Sequence, residues 1–104
     1  MVIQDNTEEV LEAIAKAKKA ALRAIGMTAE DHAKDNTPVR TGRLQGSMTH
    51  EIEENTVYIG TRVEYALPVE IGSRNRKAHH MLQRAATEHT DEYRQLVEDA
   101  FKSL

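Results

Sequence analysis

The sequence predicts an α+β chain in which a long N-terminal helix and a C-terminal helix pack on a small antiparallel β-sheet. Three observations carry this. Apolar residues recur at three- and four-residue steps from about Thr7 toward Pro38. The period then switches to two from Leu44, and helical spacing returns beyond a basic loop and runs to the end.

Asn6 followed three residues later by Glu9 resembles a capping box, in which both side chains satisfy free N–H groups of the first turn, so the first helix begins near Thr7. Val10, Leu11, Ile14, Ala17, Ala21, Leu22 and Ile25 form its apolar face, and Lys16, Lys18, Lys19 and Arg23 fall mostly on the other side. Gly26, with Thr28 and Asp31 able to cap a second helix, permits a kink or a break, and a single long helix is the reading adopted. Pro38 disfavours helical geometry at Thr37, and Asp35 and Asn36 already prefer turns, so the helix ends here.

From Leu44 the residues Leu44, Gly46, Met48, His50 and Ile52 share one side of an expected half-buried strand, with Gln45, Ser47, Thr49, Glu51 and Glu53 on the other. Glu54 and Asn55 read as a turn. Thr56 to Arg62 carries the β-branched and aromatic residues of a partner strand. A two-stranded hairpin needs a covering element. The cover expected is a final helix after an irregular crossover, on which Leu82, Ala85, Ala86, His89, Tyr93, Leu96, Val97, Ala100, Phe101 and Leu104 keep helical spacing.

At 104 residues, one domain spanning 1–104 is expected, burying about 65% of its unfolded surface. The absence of cysteine excludes disulfides, thiolate nucleophiles and Cys-type zinc sites. No apolar run approaches the roughly 18 residues that cross a bilayer. The start, MVIQDNTEEV, has neither the basic nor the apolar region of a signal peptide, so the reading is a soluble intracellular product. A net charge of −3 argues against general affinity for phosphate backbones.

Catalytic chemistry finds little support. His79 and His80 are adjacent and would diverge by about 100° on a helix. His89 is too far along for the i, i+4 spacing that puts two ligands on one face, so no metal is expected. Ser47 and Ser73 lack a nucleophile-elbow context. Glu51, Glu53 and Glu54 read as a solvated strand edge that discourages edge pairing. Gly42, Gly46, Gly60 and Gly72 never form a dinucleotide or phosphate-binding pattern and read as turn or bulge residues, so no cofactor is expected. The basic loop Arg74, Arg76, Lys77 is the candidate for nucleic acid. Three neutralised phosphates give a salt slope of only about −2.7, and no aromatic residue lies beside the loop to stack on bases. A small nucleic-acid-binding regulator using this loop and a helix over 78–103 is the alternative reading.

Three segments, TPVRTGRLQGSM (37–48), YIGTRVEYALPVEIGS (58–73) and KAHHMLQRAA (77–86), together resemble the head-tail joining or tail-completion proteins of the tailed-phage neck. The matching residues are Pro38, Val39, Thr41, Gly42, Leu44, Ser47, Gly60, Thr61, Tyr65, Ala66, Val69, Glu70 and Gly72. They follow a P-V-x-T-G-x-L-x-x-S turn and a V-G-T-x-x-x-Y-A-x-x-V-E-x-G-T segment. Ser73 replaces the customary threonine, and His80 and Arg84 stand where the family tends to place prolines.

The resemblance implies a non-enzymatic structural protein of phage or prophage origin. It would lie in the virion neck, and in the host cytoplasm during assembly, forming a ring of about six copies between head connector and tail. DNA would pass through without specific binding, and six copies at −3 give a ring of about −18. On this reading Pro38 and Gly42 set a turn, Tyr65 and Ala66 pack under the crossover, and Gly72 reverses the backbone into an exposed loop. The partner contacts expected are the hairpin tip, with Glu53, Glu54 and Asn55, and the loop Ser73, Arg74, Asn75, Arg76, Lys77.

Overall fold

A computed structural model describes residues 6–39, 42–102 and 104. The elements in order are α1 (Thr7–Asn36), α2 (Arg43–Gly46), β1 (Thr49–Glu53), β2 (Thr56–Gly60), α3 (Ala66–Ile71), α4 (Met81–Thr87) and α5 (Thr90–Lys102). The class is α+β, as the two changes of period predict.

The first helix is unbroken, with 30 residues spanning about 45 Å at 1.5 Å per residue. It begins at Thr7, but Asn6 forms no side-chain cap; its backbone carbonyl accepts the Val10 N–H at 3.1 Å, and Glu8 and Glu9 in the first turn oppose the helix dipole. The other end is tied down more firmly. Thr37 is extended (φ −85°, ψ 128°) ahead of Pro38, and its buried hydroxyl donates to the Ala33 carbonyl at 2.6 Å. Gln45 Nε2 donates to the Lys34 carbonyl at 3.2 Å. These bonds use carbonyls that a helix end leaves without partners.

Gly26 does not interrupt α1 because it serves packing. A Cβ there would run into the His50 ring, including Nε2 at 3.0 Å. His50 Nδ1 in turn hydrogen-bonds Glu30 Oε1 at 3.2 Å. Burial acts to raise the Glu30 pKa, but hydrogen bonds from His50 and Lys34 together with the Lys34 charge hold it below the ordinary carboxylate value.

The hairpin pairs β1 with β2 in register from Thr49↔Gly60 to Glu53↔Thr56, leaving Glu54 and Asn55 as the expected turn. It packs on α1, as α4 and α5 also do, so the cover expected from the last helix comes from the first. The core is built from Ala33, Leu44, Met48, Ala66, Val69, Met81 and Ala85, with Ile59, Val63 and Leu82 packed against it. Alanine at positions 33 and 85, both fully buried, lets α1 and α4 approach closely.

Several further expectations from the sequence are corrected. The strand expected from Leu44 begins only at Thr49, because Gly42 takes a left-handed conformation (φ 81°) and launches the helical turn α2. The Ser47 hydroxyl closes that turn on the Leu44 carbonyl at 2.6 Å. Leu44 and Met48 are both buried, and a spacing of four satisfies period two and period 3.6 alike. Ile52, expected on the covered face, is 37% exposed, and the partner strand stops at Gly60 rather than Arg62.

The crossover is not irregular throughout. It contains α3, which buries Ala66 and Val69 and tolerates Pro68 in its first turn, where a missing N–H costs nothing. The terminal helix is two helices with a break at Glu88–His89. The Tyr93 hydroxyl donates to the Ala85 carbonyl, which a continuous helix would offer to the His89 N–H. Finally, the apolar face of α1 is only partly used: Ala17 and Ala21 are buried, whereas Val10, Leu11 and Ile14 are exposed, Leu11 by 59%. The radius of gyration is 18.3 Å, against about 13 Å for a compact domain of this length.

Gly26→Ala should lower the melting temperature. Alanine normally gains about 1 kcal/mol over glycine in a helix, but here it must displace the His50 ring, and overpacking costs about 1–3 kcal/mol. In a His50→Ala background the same change should raise the melting temperature, and a thermal double-mutant cycle measures both signs.

Candidate interaction surface

A groove of about 970 Å³ opens between the α1–α2 connection and the α3–α4 connection. Pro38, Gly42, Arg43 and Leu44 line it from the first connection and α2; Tyr65 and Val69, with Arg76, Lys77 and His79, line it from the second side. Its floor is apolar, since Leu44 and Val69 are buried core residues. The Arg43 guanidinium lies 5.4 Å from the Tyr65 ring centroid, within cation–π range.

Local geometry makes the second side rigid. Gly72 has φ 83°, and a Cβ there would approach the Arg76 carbonyl to 3.1 Å and the Ala78 nitrogen to 3.0 Å, so the close return of the chain requires glycine. Ser73 and Arg76 exchange two backbone hydrogen bonds, at 3.0 and 3.2 Å, and Arg74 and Asn75 form the tip of this tight turn. The chain then returns to α3: the His79 N–H donates to the Val69 carbonyl at 2.9 Å and the His80 N–H to the Glu70 carbonyl at 3.0 Å. The Glu70 carboxylate accepts the Leu82 N–H at 2.8 Å and the Gln83 N–H at 3.0 Å. It caps α4 from outside that helix, where no neighbouring side chain does so.

The expected partner-contact residues fall in two places. Ser73, Arg74, Asn75, Arg76 and Lys77 are all exposed on the tight turn and its exit, and Arg76 and Lys77 reach the groove. Among the described residues none of these cations forms a salt bridge. Glu53, Glu54 and Asn55 are exposed at the hairpin tip, where Glu51 is exposed as well, as a solvated edge requires.

Of the motif residues, Pro38, Gly42 and Tyr65 meet at the groove, Gly60 pairs with Thr49 at the base of the hairpin, and Thr41 lies outside the described residues. Ala66 is buried as expected. Tyr65 is 38% exposed and forms a groove wall instead of packing beneath the crossover. Sequence reasoning missed Arg43 and Leu44 as groove residues and gave Glu70 no task; the V-E-x-G pattern before a loop that enters a helix was the available signal.

Ser47 is structural, since its hydroxyl also meets Thr61 Oγ1 at 2.6 Å. His79 and His80 are exposed, and His80 sits at φ 47°, a conformation closed to proline. The histidines that do meet are His32 and His89, which sequence spacing did not pair. Ligand atoms of His32, His89 and Glu92 lie within 4.8 Å of one another. The two rings are stacked face to face, with centroids 3.4 Å apart and planes 2° from parallel, so their nitrogen lone pairs lie in separate planes and do not converge at the 2.0–2.1 Å typical of Zn–N bonds. His32 Nε2 instead hydrogen-bonds Glu92 Oε1 at 2.8 Å, and the cluster joins α5 to α1. Burial and the nearby Glu92 charge push the Tyr93 phenol up, keeping it a hydrogen-bond donor to Ala85.

No helix among the described residues is long and apolar enough to cross a membrane. A family model described as "Bacteriophage HK97-gp10, putative tail-component" matches residues 2–99. No curated protein and no solved structure matches the chain.

Glu70→Ala should destabilise the protein by about 1–2 kcal/mol, the usual cost of losing a helix cap. Glu70→Gln, which keeps one acceptor oxygen, should cost less. Urea midpoints measure the order, and equal midpoints for wild type and Glu70→Ala would remove the capping role.

Proposed function

The chain belongs to the HK97-gp10-like phage tail-component family, and we propose that this structural protein is a neck component joining the DNA-filled head to the tail. In this role it acts as one unit, without catalysis. It forms a ring of about six copies on docking, through whose centre DNA passes.

One observation carries the reading. The family match spans nearly the whole chain, and residues of the joining-protein motif, Pro38, Gly42 and Tyr65, converge on a groove that the basic loop also lines. A groove lined by Arg43, Arg76 and Lys77 beside a rigid turn is suited to protein contacts, because exposed loops on a fixed scaffold carry recognition. The elongated outline fits a subunit that meets several neighbours. A ring of net charge about −18 favours passage of DNA over retention.

Nothing specific favours the nucleic-acid regulator. The exposed surface of α5 carries Asp91, Glu92, Glu98 and Asp99 against Arg94 and Lys102, so it does not extend the basic loop into a phosphate-binding stripe.

Deleting the gene from its phage should leave DNA-filled heads and separate tails. Replacing Arg74, Arg76 and Lys77 by Ser should lower the fraction of joined particles while moving stability by only about 0.5 kcal/mol, as surface changes do. Electron microscopy of lysates counts joined particles against free heads and tails. Normal virions from the deletion would sink the neck assignment, and empty heads would place the protein in packaging.

A further inference from the structure

Two surfaces of this chain carry opposite charge, and among the described residues neither Glu51, Glu53 and Glu54 of the one nor Arg76 and Lys77 of the other form a salt bridge. The hairpin tip, residues 51–56, presents Glu51, Glu53 and Glu54 with no cation among them, and Ile52 is 37% exposed beside them. The groove has the reciprocal character: an apolar floor from Leu44 and Val69, Arg76 and Lys77 at the rim, and no carboxylate among the described residues that line it. An exposed isoleucine flanked by carboxylates is the shape and charge such a groove accepts, and its volume suits insertion of a few side chains.

The tip cannot satisfy its own groove. Thr49 pairs with Gly60 at the hairpin base, where Ser47 and Thr61 are bonded to each other, and the tip pair Glu53↔Thr56 stands four residues away. At about 3.3 Å per residue the tip lies about 13 Å beyond the base, on the side away from α2. While the sheet is intact, the two surfaces can meet only between molecules.

We propose that the hairpin tip of one copy docks in the groove of the next, with Glu53 and Glu54 against Arg76 and Lys77 and Ile52 over Leu44 and Val69. Each copy offers one tip and one groove, so the contact is head-to-tail. Repeated with a closing rotation, a head-to-tail contact generates a ring. This deepens the ring reading above and rests on it for its biological setting. The contact is small, and its charges lie at the rim, where they set encounter rate and salt sensitivity more than affinity. Association of the purified protein is therefore weak and suppressed by salt.

The test uses purified full-length protein at high concentration and low salt with a carbodiimide, which forms a zero-length amide between a carboxylate and a lysine amine. Wild type should give a ladder extending beyond dimer, with intermolecular Glu53–Lys77 or Glu54–Lys77 amides identified by mass spectrometry. A tip variant (Glu53→Lys, Glu54→Lys) and a groove variant (Arg76→Glu, Lys77→Glu) each place like charges together. Each should lose the ladder by at least about tenfold, since like-charge contacts cost several kcal/mol and 1.4 kcal/mol is a factor of ten.

Mixing the two variants restores opposite charges at every contact and should return the ladder; melting curves check that both are folded. A ladder that ends at dimer, amides that avoid these residues, or no recovery on mixing would overturn the proposal. Because this readout needs no virion, it can fail while the neck role stands, and the deletion phenotype can fail while the contact stands.

Discussion

Met81 is the point on which the described structure turns. Its side chain is fully buried at the end of α1, where the Thr37 hydroxyl lies 3.5 Å from its sulfur, and its carbonyl accepts the Asn36 side-chain amide at 3.2 Å. The same residue opens α4, whose next two N–H groups are held by the Glu70 carboxylate. One joint thus ties α1 to α4 and, through Glu70, to α3. A thioether fits this position because its flexible, polarizable chain fills an irregular gap beside the Thr37 hydroxyl. The groove inherits its rigidity from the joint, since both of its sides begin at these ties.

Much of this was legible in the sequence, for physical reasons. Pro38 and the run of three- and four-residue steps define α1 because ring geometry and helical period act locally. Asn55 marks the hairpin turn by its local turn preference, and Gly72 the chain reversal by its conformational freedom. What escaped depended on contacts between distant segments. Leu44 and Met48 fit strand and helical turn equally, and only the left-handed Gly42 decides between them. The break before α5 answers to Tyr93 taking the Ala85 carbonyl and to His89 lying on His32, a residue 57 positions earlier that no local pattern could couple. The two expected contact segments were readable as exposed and charged, whereas the groove beside one of them requires Leu44 and Val69 from opposite ends of the motif region.

Two non-glycine residues among those described occupy positive φ, Glu54 at 51° and His80 at 47°. Left-handed backbone costs an ordinary residue roughly 1–2 kcal/mol, so it persists where surrounding bonds over-determine it. His80 is fixed by its N–H bond to the Glu70 carbonyl and by accepting the Arg84 N–H at 2.9 Å. Glu54 is fixed by the paired strands on either side of it. One strained residue thus shapes the hairpin tip and the other the helix entry behind the basic loop, so local cost is concentrated where the surface is most sharply formed.

The distribution of burial bears on why such a protein suits assembly. Among the described residues α5 buries none fully, and the first turns of α1 project with Val10, Leu11 and Ile14 exposed. A core built largely of alanine and methionine supplies modest stabilisation per residue, because burial energy scales with apolar area. Exposed apolar side chains on a projecting helix remain available to a neighbour in a way that a compact monomer would not allow. A subunit of this kind holds a small rigid joint, with its groove and tip fixed in place, and leaves the N-terminal end of its long helix uncommitted. The weak, salt-sensitive pairing proposed between copies would allow subunits to add and leave before neighbouring proteins hold them, so that a ring could close without trapping misplaced copies.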